Sequence, residues 1–180
     1  MKKKAAKIAR KKTVHNFNTA KTVCLTFEGS LAANVKYIKE FRTYLDSAGL
    51  DTYMLAYTDM EDIPGELVFL HNATIFCKKD LDFFFRPKKS VSGPFLEHKF
   101  DILIDLSYSM YFPLTYLFTL SPSTFKTGNY TEEQNDYDLM INTADNTSVD
   151  YLIEQIKHYI SILNNPAVQS SPELTGENKK

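Results

Sequence analysis

The chain is poor in the features that would place it in a membrane or outside the cell. It has two cysteines and no tryptophan, and no apolar run reaches the roughly 18 residues that a transmembrane helix needs. Its basic N-terminus is not followed by the apolar segment of a secretory signal. Cys24 and Cys77 lie within apolar runs, where a cysteine more often packs as a small hydrophobic side chain, although two cysteines could form one disulfide. We expect a reduced cytoplasmic protein.

The sequence also lacks the motifs of common catalytic and cofactor sites. It contains no glycine-rich phosphate loop, no G-x-S-x-G nucleophile turn and no C-x-x-C pair. The four histidines are scattered without metal-ligand spacing. A cysteine–histidine pair brought together by folding stays open as an alternative, although Cys24 is predicted to point into packing. We therefore predict no catalytic residue, no metal and no cofactor.

The net charge of −1 conceals an uneven distribution. The first twelve residues contain no acid and seven basic side chains, which are Lys2, Lys3, Lys4, Lys7, Arg10, Lys11 and Lys12. The remaining residues carry 14 basic and 22 acidic side chains, a net charge of −8. Such an arm favours contact with an anionic partner, RNA or a ribonucleoprotein, without DNA sequence specificity. An anionic membrane surface is the weaker alternative, because Ile8 is the only bulky residue in the apolar stripe of Ala5, Ile8 and Ala9 that a helix would form. A solubilising tail is another alternative.

Apolar and β-branched runs alternate with amphipathic segments along the chain. They predict strands over residues 22–27, 51–57, 73–77, 100–106, 123–126 and 137–142, and helices over residues 31–48, 112–120 and 149–163. Residues 86–94 are rich in turn formers. The pattern predicts a single three-layer, Rossmann-like (flavodoxin-like) α/β domain with a mostly parallel sheet of about five to six strands. We expect a helical or mobile basic arm over residues 1–20, the α/β domain over residues 21–163 and a disordered tail over residues 164–180.

Ligands of open α/β sheets bind outside the carboxyl ends of the strands. The polar residues, glycines and one lysine predicted near those ends form our candidate ligand site, and they are Glu28, Gly29, Ser30, Asp105, Ser107, Lys126 and Gly128. Alternative interpretations stay open for two of them. Asp105 could cap the following loop or pair with a buried basic group, and Lys126 could be a solvated strand-edge lysine rather than an anion contact. Asp101 is expected at an exposed strand start.

The segment KFDILIDLSYSMYFPLTYLFTLSPSTFKTG, residues 99–128, carries two resemblances. It resembles a family of short bacterial proteins, a domain of unknown function with a lysine-rich N-terminus and a similar core. This resemblance covers most of residues 1–163 and implies no established activity. The DILIDL strand, the apolar helix and the strand ending at Gly128 are also similar to the N-terminal half of heptosyltransferase-type glycosyltransferases, which implies a Rossmann-like fold but not glycosyl transfer.

Two functional expectations follow, together with a third interpretation. The first is a non-catalytic cytoplasmic binding protein whose basic arm engages RNA or a ribonucleoprotein. The alternative is a small-molecule protein for a nucleotide or phosphosugar, or a degenerate glycosyltransferase-like half-domain, that uses the strand ends. The third is a scaffold that forms a homodimer through exposed aromatic residues such as those of residues 83–85.

Overall fold

The computed structural model describes residues 10–30, 32–133, 135–144 and 146–164, in which strands alternate with helices. The strands are β1 Thr22–Glu28, β2 Asp51–Tyr57, β3 Ala73–Phe76, β4 Ile102–Asp105, β5 Phe125–Asn129 and β6 Leu139–Ile141. The helices are α1 Ala32–Ser47, α2 Gly65–Val68, α3 Lys89–Glu97, α4 Phe112–Leu120 and α5 Val149–Ile162, with a 3-10 turn at Lys78–Asp80. All six predicted strands and all three predicted helices are present, with ends shifted by up to three residues.

The six strands form one sheet in the order β3-β2-β1-β4-β5-β6, and every neighbouring pair is parallel. The predicted Rossmann-like α/β fold is therefore confirmed. The sequence pattern left the strand order open. The observed order is that of the six-stranded dinucleotide-binding fold, whereas flavodoxin has a different, five-stranded order. The chain proceeds outward from β1 to β3 and then returns to β4 on the other side of β1. This reversal makes the carboxyl ends of β1 and β4 the topological switch point.

Helices cover both faces of the sheet, which gives the predicted three layers. On β1, Val23, Leu25 and Phe27 enter the core formed with α1 and α5, and Cys24 enters the core formed with α3 and α4. The α1 side chains in the first core recur every three or four residues and are Val35, Ile38, Phe41 and Leu45. Because the central strands are buried on both faces, they are mostly apolar, with a few buried polar residues such as Thr26 and Thr52, instead of alternating regularly.

The prediction of turns over residues 86–94 is wrong, because helix α3 begins at Lys89 and continues to Glu97. Its buried side chains, Val91 and Phe95, are four positions apart and share one helical face. Pro94 lies inside the helix, where it cannot donate a backbone hydrogen bond. Burial of Phe95 against the sheet offsets this local cost, and a short-range pattern of turn formers does not reveal such tertiary packing.

Residues 10–20 pack against the α/β domain without forming a helix. Asn16, Phe17 and Ala20 are buried, and the backbone N–H of Thr13 donates to the carbonyl of Thr124 at 3.1 Å. This part of the predicted arm is therefore part of the folded body. The predictions for residues 1–9, and for the tail from residue 165, fall outside the described residues. None of the helices described above combines the length and the apolar character that a bilayer span requires.

Candidate functional site

A cavity of about 510 Å³ lies at the topological switch point, and we call it the switch-point cleft. The segments after β1, β4 and β5 form its walls together with the first turns of α1 and α5. Most of its lining side chains are polar, and these include Glu28, Asn34, Ser107, Ser109, Asn129 and Thr147. Tyr108 and Tyr111 add aromatic surface. The volume lies within the range of about 300 to 1,000 Å³ that is typical of small-molecule sites.

Glu28 brings a negative charge to this cleft at the end of β1. Its Oε1 accepts the backbone N–H of Ser30 at 2.8 Å, and the Ser30 hydroxyl forms a hydrogen bond of 3.1 Å with the Thr58 hydroxyl. In phosphate-binding α/β proteins, backbone N–H groups of this loop face the anion. Here the Glu28 carboxylate already accepts one of those N–H groups, so the loop favours an anion less.

Gly29 was predicted with Glu28 and Ser30, but its role is packing. It is buried, and a Cβ atom built on it would lie 2.6 Å from Cδ1 of Leu67. Leu67 belongs to α2, so the glycine lets this short helix approach the end of β1. A side chain here would push α2 away from the strand and would not enter the cleft.

Asp105 ends β4 next to the cleft and is buried. Its Oδ1 accepts the backbone N–H of Ser107 at 3.0 Å, and its Oδ2 accepts the hydroxyl of Tyr137 at 2.8 Å. The first bond agrees with the interpretation that Asp105 caps the following loop, and the second partner is a tyrosine instead of a basic group. Burial raises the pKa of Asp105 above its usual range, and the hydrogen bonds from Tyr137 and Ser107 lower it by less.

Gly128 makes this pairing sterically feasible. A Cβ atom at Gly128 would lie 2.7 Å from Cε1 of Tyr137 and 3.1 Å from the carbonyl oxygen of Asp105. A second cavity of about 80 Å³ adjoins the pair and shares Ser107 and Asn129 with the switch-point cleft. Gly128 therefore shapes the floor of the site without presenting a group to a ligand.

Lys126 does not join the other predicted residues, and its interpretation as a solvated lysine is wrong. Its side chain is fully buried. Its Nζ donates to the carbonyls of Phe118 at 2.6 Å and Thr119 at 3.1 Å, where α4 ends, and forms an ion pair of 2.8 Å with Asp136. Burial lowers the pKa of Lys126, and the contacts with Asp136 act in the opposite direction. These partners take up the ammonium group and keep it away from the cleft.

The electrostatic environment of the cleft is negative. The pKa of Tyr111 is raised by burial and by the negative charges of Glu28 and Asp59. Among the described residues that line the cleft, none is lysine, arginine or histidine. The described part of the chain also holds no group of three or more histidine, cysteine or acidic side chains arranged for a metal ion. Amide, hydroxyl and carboxylate groups are therefore the chemistry that this cleft offers to a ligand.

Two members of the basic arm lie at the opposite end of the sheet, before β5 and β6. The Arg10 guanidinium donates to the carbonyl of Thr124 at 2.9 Å and to that of Asp136 at 3.1 Å, and pairs with Oδ2 of Asp138 at 2.7 Å. Lys12 pairs with Oδ1 of Asp138 at 2.7 Å. The Arg10 side chain is only 3% exposed. Arg10 and Lys12 thus hold the arm to the domain, and the burial of Arg10 keeps its guanidinium from meeting a partner.

Two further predictions concerned Asp101 at the start of β4 and Ser107 after its end. Asp101 is not a bare exposed end, because its Oδ2 accepts the N–H groups of Lys21 at 2.8 Å and Thr22 at 3.2 Å and so joins the starts of β1 and β4. Ser107 does line the cleft. Several residues at the site, among them Asn34 and Tyr137, were not among those predicted. Asn34, in the first turn after a predicted strand end, carried a signal, whereas Tyr137 reaches the site through the fold alone.

Comparison with known proteins adds a family but no activity. No curated protein matches the chain. The sequence profile of a family of unknown function, DUF6913, matches residues 1–163. This match confirms the predicted membership of a domain-of-unknown-function family. Because it covers most of the 180 residues, the chain belongs to the family of unknown function DUF6913.

Proposed function

We propose that this protein binds a small hydroxylated molecule, of about nucleoside or sugar size, in the switch-point cleft. The observation that carries the proposal is the position and lining of the 510 Å³ cavity. It lies where α/β sheets of this order bind their ligands, and it offers amide and hydroxyl groups beside two tyrosine rings. Hydroxyl groups of a ligand would be bound by Glu28, Asn34 and Asn129, and a ring would lie against Tyr108 or Tyr111.

The charge of the cleft narrows the ligand class further. A phosphorylated ligand would bring negative charge beside Glu28, and no cationic side chain among the described lining residues would balance it. We therefore propose a ligand without a phosphate group, either uncharged or carrying an amino group. This ligand class replaces the nucleotide or phosphosugar that we expected from the polar residues at the strand ends alone.

We propose binding without catalysis, in the cytoplasm. The carboxylate nearest to the cleft floor, Asp105, has a hydrogen bond on each oxygen and is held by its own fold. Glu28 likewise accepts a backbone N–H. The cytoplasmic assignment is supported by Cys24 and Cys77, which are free and buried thiols.

The test is calorimetric titration of the full chain with nucleosides, sugars and amino sugars, each beside its phosphorylated form. The unphosphorylated compound is expected to bind and its phosphate to bind more weakly. Glu28→Gln should lower the affinity about tenfold, the effect of losing one charged hydrogen bond. Glu97→Gln, on an exposed helix end, is the matched control and should leave affinity unchanged. Tighter binding of the phosphorylated forms, or no binding of any compound, would refute the proposal.

A second candidate function concerns the basic arm, and the charge difference between arm and body favours it. We propose that the arm binds RNA or a ribonucleoprotein through the lysines that remain after Arg10 and Lys12 are assigned to the domain. These are Lys2, Lys3, Lys4, Lys7 and Lys11. An anionic membrane surface is the weaker alternative for the arm, since Ile8 adds little apolar surface.

This second function is tested with a variant that keeps the anchor intact. Replacing Lys2, Lys3, Lys4 and Lys7 by alanine, with Arg10 unchanged, should abolish capture of RNase-sensitive partners from a lysate at low salt. The matched control replaces Lys21, Lys36, Lys39 and Lys99, four exposed lysines of the body, by alanine. Equal loss in both variants would mean that capture depends on overall charge and not on the arm.

A further inference from the structure

Three consecutive phenylalanines protrude from the surface between the 3-10 turn and α3. Phe83 is 91% exposed, Phe84 is 65% exposed and Phe85 is 70% exposed. We call these three residues the aromatic tip. A soluble surface does not gain from three adjacent exposed phenylalanines, and exposed apolar patches usually mark a site of contact. Neither the switch-point cleft nor the basic arm includes them.

The aromatic tip is held in a fixed conformation. An antiparallel bridge between Leu81 and Pro87 closes the turn beneath it. Oδ1 of Asp82 accepts the backbone N–H groups of Phe84 at 2.9 Å and Arg86 at 3.0 Å. Phe85 adopts a positive φ of 58°, which costs energy for a bulky residue. The fold therefore accepts backbone strain in a turn that presents these rings to the outside.

The charges around the tip are balanced or positive. Oδ2 of Asp82 pairs with the Arg86 guanidinium at 2.7 Å, and the same guanidinium lies 5.0 Å from the centre of the Phe84 ring. Lys88 and Lys89 follow directly, and both are exposed. The tip thus combines apolar rings with two additional positive charges, although the body as a whole is acidic.

Two acidic side chains of a neighbouring loop are also paired with lysines of the 3-10 turn. Asp59 and Asp62 belong to the loop after β2, which contacts the 3-10 turn. Lys78 pairs with Asp59 at 3.3 Å, and Lys79 pairs with Asp62. These pairs reduce the repulsion that a negatively charged surface would otherwise meet beside the tip.

The exposed area indicates what the tip can bind. The three rings together expose about the area of two whole phenylalanine side chains, roughly 300 to 500 Å². A stable protein dimer buries about 800 Å² on each partner, so the tip alone is too small for one. A convex turn of this kind can enter the headgroup region of a bilayer without a complementary pocket, and aromatic rings above basic residues suit an anionic surface.

We propose that the aromatic tip inserts into the interface of an anionic lipid bilayer and holds the domain at the membrane surface. Phe83, Phe84 and Phe85 would contribute the apolar contact, and Lys88 and Lys89 the attraction to acidic headgroups. The interaction is peripheral and reversible. It is independent of the proposed ligand cleft, and it supplies the apolar contact that the basic arm lacks.

The experiment is sedimentation of the full chain with vesicles of about equal parts phosphatidylglycerol and phosphatidylcholine. The wild type should sediment with these vesicles and not with pure phosphatidylcholine. Replacing all three phenylalanines by alanine should weaken binding by about tenfold or more, because their transfer from water is lost. Phe84→Trp should retain or increase binding, since tryptophan favours the bilayer interface.

The matched control is Phe69→Ala, which removes a phenylalanine that is 79% exposed at another place in the fold. This control should bind vesicles as the wild type does. If the triple alanine variant binds vesicles as tightly as the wild type, the attachment belongs to the arm and the proposal is wrong. If the wild type does not bind the anionic vesicles, the proposal is also wrong. The solution mass of both proteins is measured in parallel. If the wild type is a dimer and the triple variant is a monomer, the aromatic tip binds a second copy of the chain and not a bilayer. This result would also overturn the proposal.

Discussion

At the residue scale, Arg10 connects the start of the described chain to segments 114 and 126 positions further along. Its two terminal guanidinium nitrogens bond to backbone carbonyls and to the carboxylate of Asp138, so they and the charge are used inside the protein. The pKa of Asp138 shows the same coupling. Burial raises it, but the hydrogen bonds from Lys12 and Arg10 outweigh burial and hold the pKa below its usual range.

Arg10→Met should destabilise the fold by about 1 to 3 kcal/mol, because the buried carbonyls of Thr124 and Asp136 lose a charged donor. Asp136 and Asp138 would keep Lys126 and Lys12 as cationic partners. Urea unfolding followed by circular dichroism measures the change. Lys11→Met is the matched control, since Lys11 is the exposed neighbour, and its effect should stay within about 0.5 kcal/mol. If both variants lose the same stability, the Arg10 contacts do not anchor the chain.

Asp105 gives a prediction about pH. Its pKa in the folded state is raised by burial, whereas in the unfolded chain it is about 3.9. Between these two values the folded state holds a proton that the unfolded state has lost, so the contribution of Asp105 to stability falls as pH rises. The stability of Asp105→Asn relative to wild type should therefore increase from about pH 4 upward.

Urea unfolding of both proteins at several pH values tests this sign. Asp138→Asn serves as the contrast, because the lowered pKa of Asp138 predicts the opposite trend. The wild type should lose its advantage over Asp138→Asn as pH falls below about 4. A pH-independent difference between Asp105→Asn and wild type would mean that Asp105 is not desolvated.

The sequence suggested the position of Asp105 but not its partner. An aspartate at the end of an apolar strand is recognisable, since strand periodicity locates it. Tyr137 reaches it because β6 lies beside β5 and because Gly128 leaves room for the ring. The burial of Lys126 was hidden for the same reason: its partners Phe118, Thr119 and Asp136 meet it through folding, and no local pattern marks a lysine as buried.

At the element scale, α3 is a helix whose local sequence disfavours a helix and whose packing stabilises one. Gly93 and Pro94 are poor helix formers in its second half, and they led to the prediction of turns. Phe95 is fully buried and contacts Phe100 with a ring-centroid distance of 5.9 Å. By contrast α1, α4 and α5 carry apolar residues at helical spacing and few breakers, so their sequences alone were sufficient.

Phe95→Ala should cost about 3 to 5 kcal/mol of stability, because it leaves a cavity between α3 and the sheet. Thermal unfolding is the measurement, and Phe84→Ala at the exposed turn before α3 is the control. The control should change stability little, since its ring is 65% exposed. A small effect of Phe95→Ala would mean that residues 89–97 do not pack against the sheet through Phe95. The prediction of turns would then describe these residues better than the helix does.

At the scale of the whole molecule, the sequence predicted which ends of the strands matter but not how the strands are arranged. Local pattern reveals that Glu28 and Asp105 end strands. Only the return of the chain to β4 brings these two ends together, with β2 and β3 placed on the far side of β1. Strand order depends on contacts between distant residues, and one sequence does not contain that information in readable form.

The boundary of the folded domain can be tested on the whole molecule. A protein lacking residues 2–12 should be less stable than one lacking residues 2–9, and the difference should approach the loss caused by Arg10→Met. Urea unfolding of the two truncated proteins gives this difference directly. Equal stability of both would place the boundary after residue 12 and would agree with an arm that is separate from the domain.

The anchoring of Arg10 beside β5 and β6 limits how far the preceding lysines can lie from this end of the sheet. Lys2 stands eight positions before Arg10, and an extended chain covers at most about 3.6 Å per residue. The Cα atom of Lys2 therefore lies within roughly 30 Å of the Cα atom of Arg10. The switch-point cleft opens at the other end of the same strands. The strands β5 and β1 are five and seven residues long and span only about 17 to 23 Å, so the anchor fixes where the arm begins but leaves the cleft within reach of its lysines.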